Sequence, residues 1–177
     1  MIFLLIVIIV FCIVFSFNYI YNRFQDYIIK INEVESKIDE NLRNKYDNIL
    51  KINDIIKNTI KTDKVIVDDI YNIKSDEKSS FEIDRILIEA YNKVIFIKKQ
   101  YKELDSNEDL SKIFFEINGI DESLNAYRKY YNENISKYNE LIRKMPYKLF
   151  SKIFKYNEKT FFDGKDLNDD NIKDFKL

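Results

Sequence analysis

The chain begins with a stretch, Ile2 to Ile20, that carries no charged side chain and is apolar at almost every position. Its 19 residues fall within the roughly 17–25 that a helix needs to cross the hydrocarbon core of a bilayer. Tyr19 and Tyr21 lie at its end, where amphipathic rings favour the headgroup region. A signal peptide would have a basic start and a small-residue cleavage site, and this stretch has neither. The pattern predicts a retained transmembrane anchor over residues 1–20 and a single-pass protein of the cell membrane.

The basic residues around this stretch bear on its orientation. None precedes it, whereas Arg23, Lys30 and Lys37 follow it. Segments rich in Lys and Arg next to a membrane span tend to stay on the cytoplasmic side. The distribution therefore favours a cytoplasmic location for the rest of the chain, although acidic residues are interspersed among the basic ones.

A long helix is predicted directly after the anchor. From Arg23 to Lys61 there is no glycine or proline, and apolar residues recur every 3.6 positions on average. That period is typical of a straight helix whose apolar face meets one neighbour. The apolar stripe consists of Ile31, Val34, Ile38, Leu42, Tyr46, Ile49, Ile52, Ile56 and Ile60.

Two shorter elements are predicted next. Residues 63–74 contain three consecutive β-branched side chains, but a lone strand among helices would have no partner, so we expect a short helix there. Ser79 and Glu82 have the spacing of a capping box and predict the start of another helix. The apolar stripe of that helix is Ile83, Leu87, Ala90, Val94, Ile97 and Tyr101.

The last long helix is predicted from about Glu108 to Lys144, with Asp105 as its capping residue. Its apolar positions recur every 3.5 residues, which is the period of helices that wrap around their neighbours. They are Leu110, Ile113, Ile117, Ile120, Leu124, Tyr127, Tyr131, Ile135, Tyr138, Ile142 and Met145. The protein is therefore predicted to be all-α, with an N-terminal transmembrane helix continuing into an antiparallel up-and-down bundle of about four helices over residues 21–146.

The last helix carries the dipeptide Tyr-Asn twice, seven residues apart, as Tyr131-Asn132 and Tyr138-Asn139, before the only proline, Pro146. Both tyrosines fall on the predicted seam, and both asparagines fall at its edge. An amide at that position is expected to hydrogen-bond a neighbouring helix and fix its register. The alternative is composition, since six of the thirteen tyrosines are followed by asparagine.

Residues 147–162 form a basic and aromatic segment with two interpretations. An amphipathic helix of this composition lies in a membrane interface, and an up-and-down bundle would return Pro146 to the bilayer. Alternatively, its aromatic rings pack on the base of the bundle. Its basic residues are Lys148, Lys152, Lys155 and Lys159, and the apolar residues beside them include Phe150 and Phe154. The polar residues 163–177 are predicted to be a disordered tail.

Composition excludes several classes of function. The chain has no histidine, one cysteine and a nearly balanced charge of 29 basic and 30 acidic residues. Nucleic acid is therefore not an expected partner, and the common histidine-based metal and catalytic sites are absent. Asp39 and Asp47 share a helix face, but a metal site would need further oxygen ligands from other helices. We expect these carboxylates to bond instead to Arg128, Asn132 or Asn139, with no metal and no cofactor.

The sequence "YRKYYNENISKYNELIRKMP" resembles the C-terminal signature of the LemA family of bacterial membrane proteins. The matching positions are Arg128, Tyr131, Asn132, Tyr138, Asn139 and Pro146. Tyr21-Asn22, Asp39, Leu42, Asp47 and Gly119 also agree with the family, whereas Asn44, Leu50 and Lys51 depart from it. The resemblance implies a membrane-anchored antiparallel bundle of about four helices, and it implies no reaction.

The expected function is that of a non-enzymatic interaction or scaffold protein of the bacterial cell envelope, since no nucleophile–base pair is visible. Its expected partners are the lipid bilayer, an unidentified membrane or envelope protein, and further copies of the same chain as a homo-oligomer. The alternative is a small-ligand or metal carrier with a polar site between helices, around Asp39, Asp47 and Arg128.

Overall fold

The computed structural model describes residues 1–61, 67, 70, 73 and 78–163. Within this part of the chain there are four α-helices, one short 3-10 turn at Lys102–Leu104 and no strand. The helices are α1 (Ile2–Ile60), α2 (Ser80–Gln100), α3 (Glu108–Arg143) and α4 (Tyr147–Phe154). The predicted all-α class is confirmed. The short helix predicted at 63–74 falls almost wholly outside the described residues, as does the polar tail after residue 163.

Helix α1 runs for 59 residues without a break. Its first part, through Tyr19, is exposed at every position. Among the described residues it is the one helix long and apolar enough to cross a membrane, and none of its most apolar window is buried against the protein. The sequence pattern that predicted a span followed by a continuous amphipathic helix therefore corresponds to a single element with one candidate membrane span.

The chain divides into two compact units. The first unit combines residues Met1–Val34 with Tyr130–Leu177, and the second unit comprises residues Glu35–Lys129. The boundaries between the units fall within α1 and within α3, so each of these two helices has a part in both units.

The core of the first unit is built around Phe24, which is completely buried. Its ring lies 5.9 Å from that of Tyr138 on α3, 5.7 Å from that of Phe150 on α4 and 4.7 Å from that of Tyr156 beyond α4. Offset and edge-on ring pairs at these separations are favourable. The other buried members of this core are Ile31, Ile135 and Ile142.

The core of the second unit follows the predicted stripes. Most of the predicted α1 positions in this unit are buried, and so are three positions on each of the other two helices. Those residues are Ile38, Leu42, Ile49, Ile52 and Ile56 on α1, Leu87, Ala90 and Val94 on α2, and Leu110, Ile117 and Leu124 on α3.

Side-chain contacts give the helix directions within the second unit. On α1, Lys45 contacts Asp121 of α3, and Asn48 contacts Glu116, so residue numbers rise on one helix as they fall on the other. These two helices are therefore antiparallel. Helix α2 is antiparallel to α3 in the same way, through the pairs Asp84–Arg128 and Tyr91–Asn118.

The starts of the helices show one correct and one wrong prediction. Ser79 and Glu82 form the predicted capping box, with each side chain bonded to the backbone N–H of the other residue. Asp105 does not cap α3. Instead, the side-chain oxygen of Asn107 accepts a hydrogen bond of 2.9 Å from the N–H of Leu110, because the N-cap is the residue directly before the first helical one.

Gly119 lies inside α3, where glycine is a poor helix former. A Cβ added there would meet no atom within 4 Å. We predict that Gly119→Ala raises the free energy of unfolding by about 0.5–1 kcal/mol, because alanine loses less backbone entropy in a helix. Denaturant unfolding of the full chain in detergent, followed by far-UV circular dichroism, measures this. Ala126→Gly, at an exposed position of the same helix, is the matched control and should have the opposite sign. A destabilising Gly119→Ala would show that this site requires glycine.

Candidate functional site

The two repeated asparagines hold a segment without regular secondary structure, residues 155–162, which we call the strap. Asn139 donates its side-chain N–H to the carbonyl of Lys159 at 2.7 Å, and its Oδ1 accepts the N–H of the same residue at 2.9 Å. Asn132 Oδ1 accepts the N–H of Phe162 at 2.9 Å. The amide of Asn139 thus pairs with both backbone groups of one strap residue, as a neighbouring strand would.

The spacing of the asparagines matches the spacing of the strap residues that they bind. Seven residues of helix advance about 10.5 Å, and the three residues from Lys159 to Phe162 advance about 10 Å when extended. The expectation that these amides bond a neighbouring helix is therefore corrected, because their partner is the non-helical backbone of the strap. Such backbone has N–H and C=O groups that no helix of its own satisfies.

The tyrosines beside these asparagines contact other aromatic rings. Tyr138 is buried and lies edge-on to Phe24. Tyr131 lies edge-on to Phe162 of the strap, with ring centroids 6.3 Å apart. In each Tyr-Asn pair one side chain fills apolar space and the next one holds the strap.

Two further contacts fix the beginning of the strap. Arg143 donates two hydrogen bonds, of 2.7 and 2.6 Å, to the carboxylate of Glu158. These hydrogen bonds lower the pKa of Glu158. Tyr156 stacks on Phe24 and accepts a hydrogen bond of 3.1 Å from Gln25 of α1. The strap therefore connects the end of α3 with the part of α1 just beyond the candidate span.

Helix α4 has one ring packed against α1 and several exposed apolar and basic side chains. Phe150 is buried, with its ring 5.3 Å from that of Phe17 and 5.7 Å from that of Phe24. Leu149 and Ile153 remain 56% and 72% exposed. Lys148, Lys152 and Lys155 are also exposed.

Three of the predicted residues around α4 lie outside the helix. Pro146 directly precedes it, after the end of α3, where a residue without a backbone N–H is tolerated. Lys155 and Lys159 belong to the strap, because α4 ends at Phe154 and Lys155 has a left-handed conformation with φ of 57°. Two of the four predicted lysines, Lys148 and Lys152, therefore lie in the helix.

Among the ion pairs of the second unit, two join different helices and are partly buried. Lys45, 1% exposed, contacts Asp121 at 2.5 Å, and Asp84 contacts Arg128 at 2.6 Å. Burial raises the pKa of Asp84, and the charges of Arg128 and Lys45 oppose that shift. Such pairs are weak evidence for added stability, because the cost of removing two charges from water offsets much of their attraction. The sequence contained a signal for Lys45, which lies between Leu42 and Ile49 on the apolar face of α1.

The polar site predicted around Asp39, Asp47 and Arg128 is not assembled as expected. Asp39 accepts a hydrogen bond of 2.7 Å from Ser80, whereas Arg128 binds Asp84. Asp47 lies in the wall of a separate polar cavity of about 450 Å³ between α1 and α3. Among the residues that the structure describes, no group of three acidic or cysteine side chains could hold a metal ion.

Comparison with protein families places the chain. The model of the LemA family matches residues 34–173, which is most of the sequence. The chain belongs to the LemA family. The matched region contains the whole of α2, α3 and α4, together with the strap and both Tyr-Asn pairs. A search of curated proteins finds no match.

The strap contacts give a direct test of what Asn139 does in this LemA protein. We predict that Asn139→Ala lowers the free energy of unfolding by about 1–3 kcal/mol, because two backbone groups of Lys159 lose their partner. Hydrogen exchange of the Lys159 amide should accelerate. Denaturation and exchange measurements on the full chain in detergent give both values.

Asn134→Ala is the matched control, since Asn134 is also buried on α3 but donates its side-chain hydrogen bond to the carbonyl of Tyr130 in its own helix. It should leave exchange at Lys159 unchanged. Equal acceleration in both variants would contradict a specific role of Asn139 in holding the strap.

Proposed function

We propose that this LemA-family protein is a non-enzymatic scaffold of the bacterial cell envelope, anchored in the membrane by the start of α1. The observation that carries the proposal is the continuity of α1, which passes from a fully exposed apolar segment into the buried core of the first unit without a break. Because the helix is continuous, it holds the core of the first unit at a fixed distance from the anchor.

The packing around Phe24 supports a rigid connection. Phe24 lies one turn beyond the apolar segment and contacts α3, α4 and the strap at once. A flexible tether would instead leave the residues after the span without tertiary contacts. The first unit therefore surrounds the point at which α1 would leave the bilayer.

The second unit offers side chains for contact with a protein partner. Phe96 on α2 and Phe115 on α3 are 62% and 80% exposed. Aromatic residues are over-represented among those that contribute most to protein–protein binding. We propose that the partner is another envelope protein or a second copy of the chain.

Photo-crosslinking in native membranes tests the scaffold function. A photoreactive phenylalanine analogue at position 96 or 115 should give a discrete protein adduct in the membrane fraction after alkaline carbonate washing. The same analogue at Lys129, an exposed polar position of α3 about 20 Å along the helix from Phe115, is the control and should give no such adduct. Absence of adducts at both phenylalanines, or equal labelling at Lys129, would contradict a specific protein partner, and release of the chain by carbonate would contradict the anchor.

A further inference from the structure

A basic cavity of about 560 Å³ lies beside α4 in the first unit. Its charged lining consists of Arg143, Lys148, Lys152, Lys155 and Glu158. The single carboxylate, that of Glu158, is already bound by Arg143 through two hydrogen bonds. Four cations therefore face one anion at this surface, although the whole chain has a net charge of -1.

An exposed apolar surface adjoins this cavity. Leu149, Ile153 and Phe154 are 56%, 72% and 46% exposed, and Met145 before the helix is 64% exposed. Lysines directly precede Leu149 and Ile153 in the sequence. A helix with adjoining apolar and basic surfaces has the composition of helices that lie in the interface of a membrane.

Contacts with α1 determine the depth of α4 relative to the candidate span. The ring of Phe150 touches both Phe17, in the last turn of that span, and Phe24, just beyond it. These two residues are separated by about 10 Å along the helix. The polar layer on each side of a bilayer is about 5–8 Å thick. If α1 spans the bilayer, α4 therefore lies at the level of the lipid headgroups.

We propose that α4 is an interfacial helix that binds anionic phospholipids, with Leu149, Ile153 and Phe154 in the acyl boundary and the lysines on lipid phosphates. The proposal rests on the proposed membrane anchor and names the lipid as a partner of the same region. The charge of the cavity selects anionic headgroups, and the adjoining apolar side chains select a lipid surface over free phosphate.

A single tryptophan can report the depth of α4, because the chain contains none. The full chain carrying Ile153→Trp is reconstituted into vesicles with brominated acyl chains, with or without anionic lipid. We expect blue-shifted, strongly quenched emission in anionic vesicles and weaker quenching in zwitterionic ones. Replacing Lys148, Lys152 and Lys155 together by glutamine should remove roughly half or more of the quenching in anionic vesicles, since each lysine near such a surface is attracted to it.

Tyr130→Trp is the matched control in the same unit, at an exposed position about 20 Å along α3 from Arg143. It should emit like a residue in water in every vesicle. The lipid proposal is overturned if Ile153→Trp behaves like this control while the chain floats with the vesicles, or if free inorganic phosphate at constant ionic strength abolishes the quenching. A chain that does not float refutes the anchor and the lipid proposal together.

Discussion

The first unit depends on the complete burial of one aromatic ring, that of Phe24, just beyond the apolar start of α1. This ring contacts α3 through Tyr138, α4 through Phe150 and the strap through Tyr156. Burial of an aromatic side chain contributes more than that of most residues, and favourable ring pairs add about 0.5–1.5 kcal/mol each. Removing the ring would separate the three elements that surround the exit of α1 from the proposed span.

The repeated Tyr-Asn pairs hold the strap in the position that this packing requires. The strap lies along α3 and brings Tyr156 onto Phe24, yet a segment outside helices and sheets has no regular partners for most of its backbone groups. Asn139 and Asn132 bond to backbone groups of Lys159 and Phe162. Seven residues of helix and three residues of extended chain both advance about 10 Å, so the two spacings are compatible. The two asparagines and the Phe24 ring therefore act together. The asparagines satisfy polar backbone groups of the strap, and the ring buries apolar surface.

The sequence predicted the features that depend on local periodicity. The stripe of α1 and the capping box at Ser79 follow from helix geometry alone, and both are found. The partners of Asn132 and Asn139 could not be predicted, because an amide at the edge of a seam bonds equally well to a helix or to extended chain. The burial of Phe24 was missed although this residue lies two helical turns before Ile31, on the same face of α1, and Lys45 likewise lies on that face between two buried residues. Helix α4 ends at Phe154 because Lys155 adopts a left-handed conformation. The spacing of the lysines in the sequence does not indicate that conformation.

The central role of Phe24 is tested most directly by hydrogen-exchange mass spectrometry on the full chain carrying Phe24→Leu in lipid nanodiscs. Leucine keeps the site apolar but removes every ring contact. Protection of the amides in residues 147–162 should fall about tenfold, consistent with the loss of one or two aromatic pairs. Phe115→Leu, at an exposed phenylalanine, should leave that protection unchanged. Unaltered protection of residues 147–162 in Phe24→Leu would contradict the account.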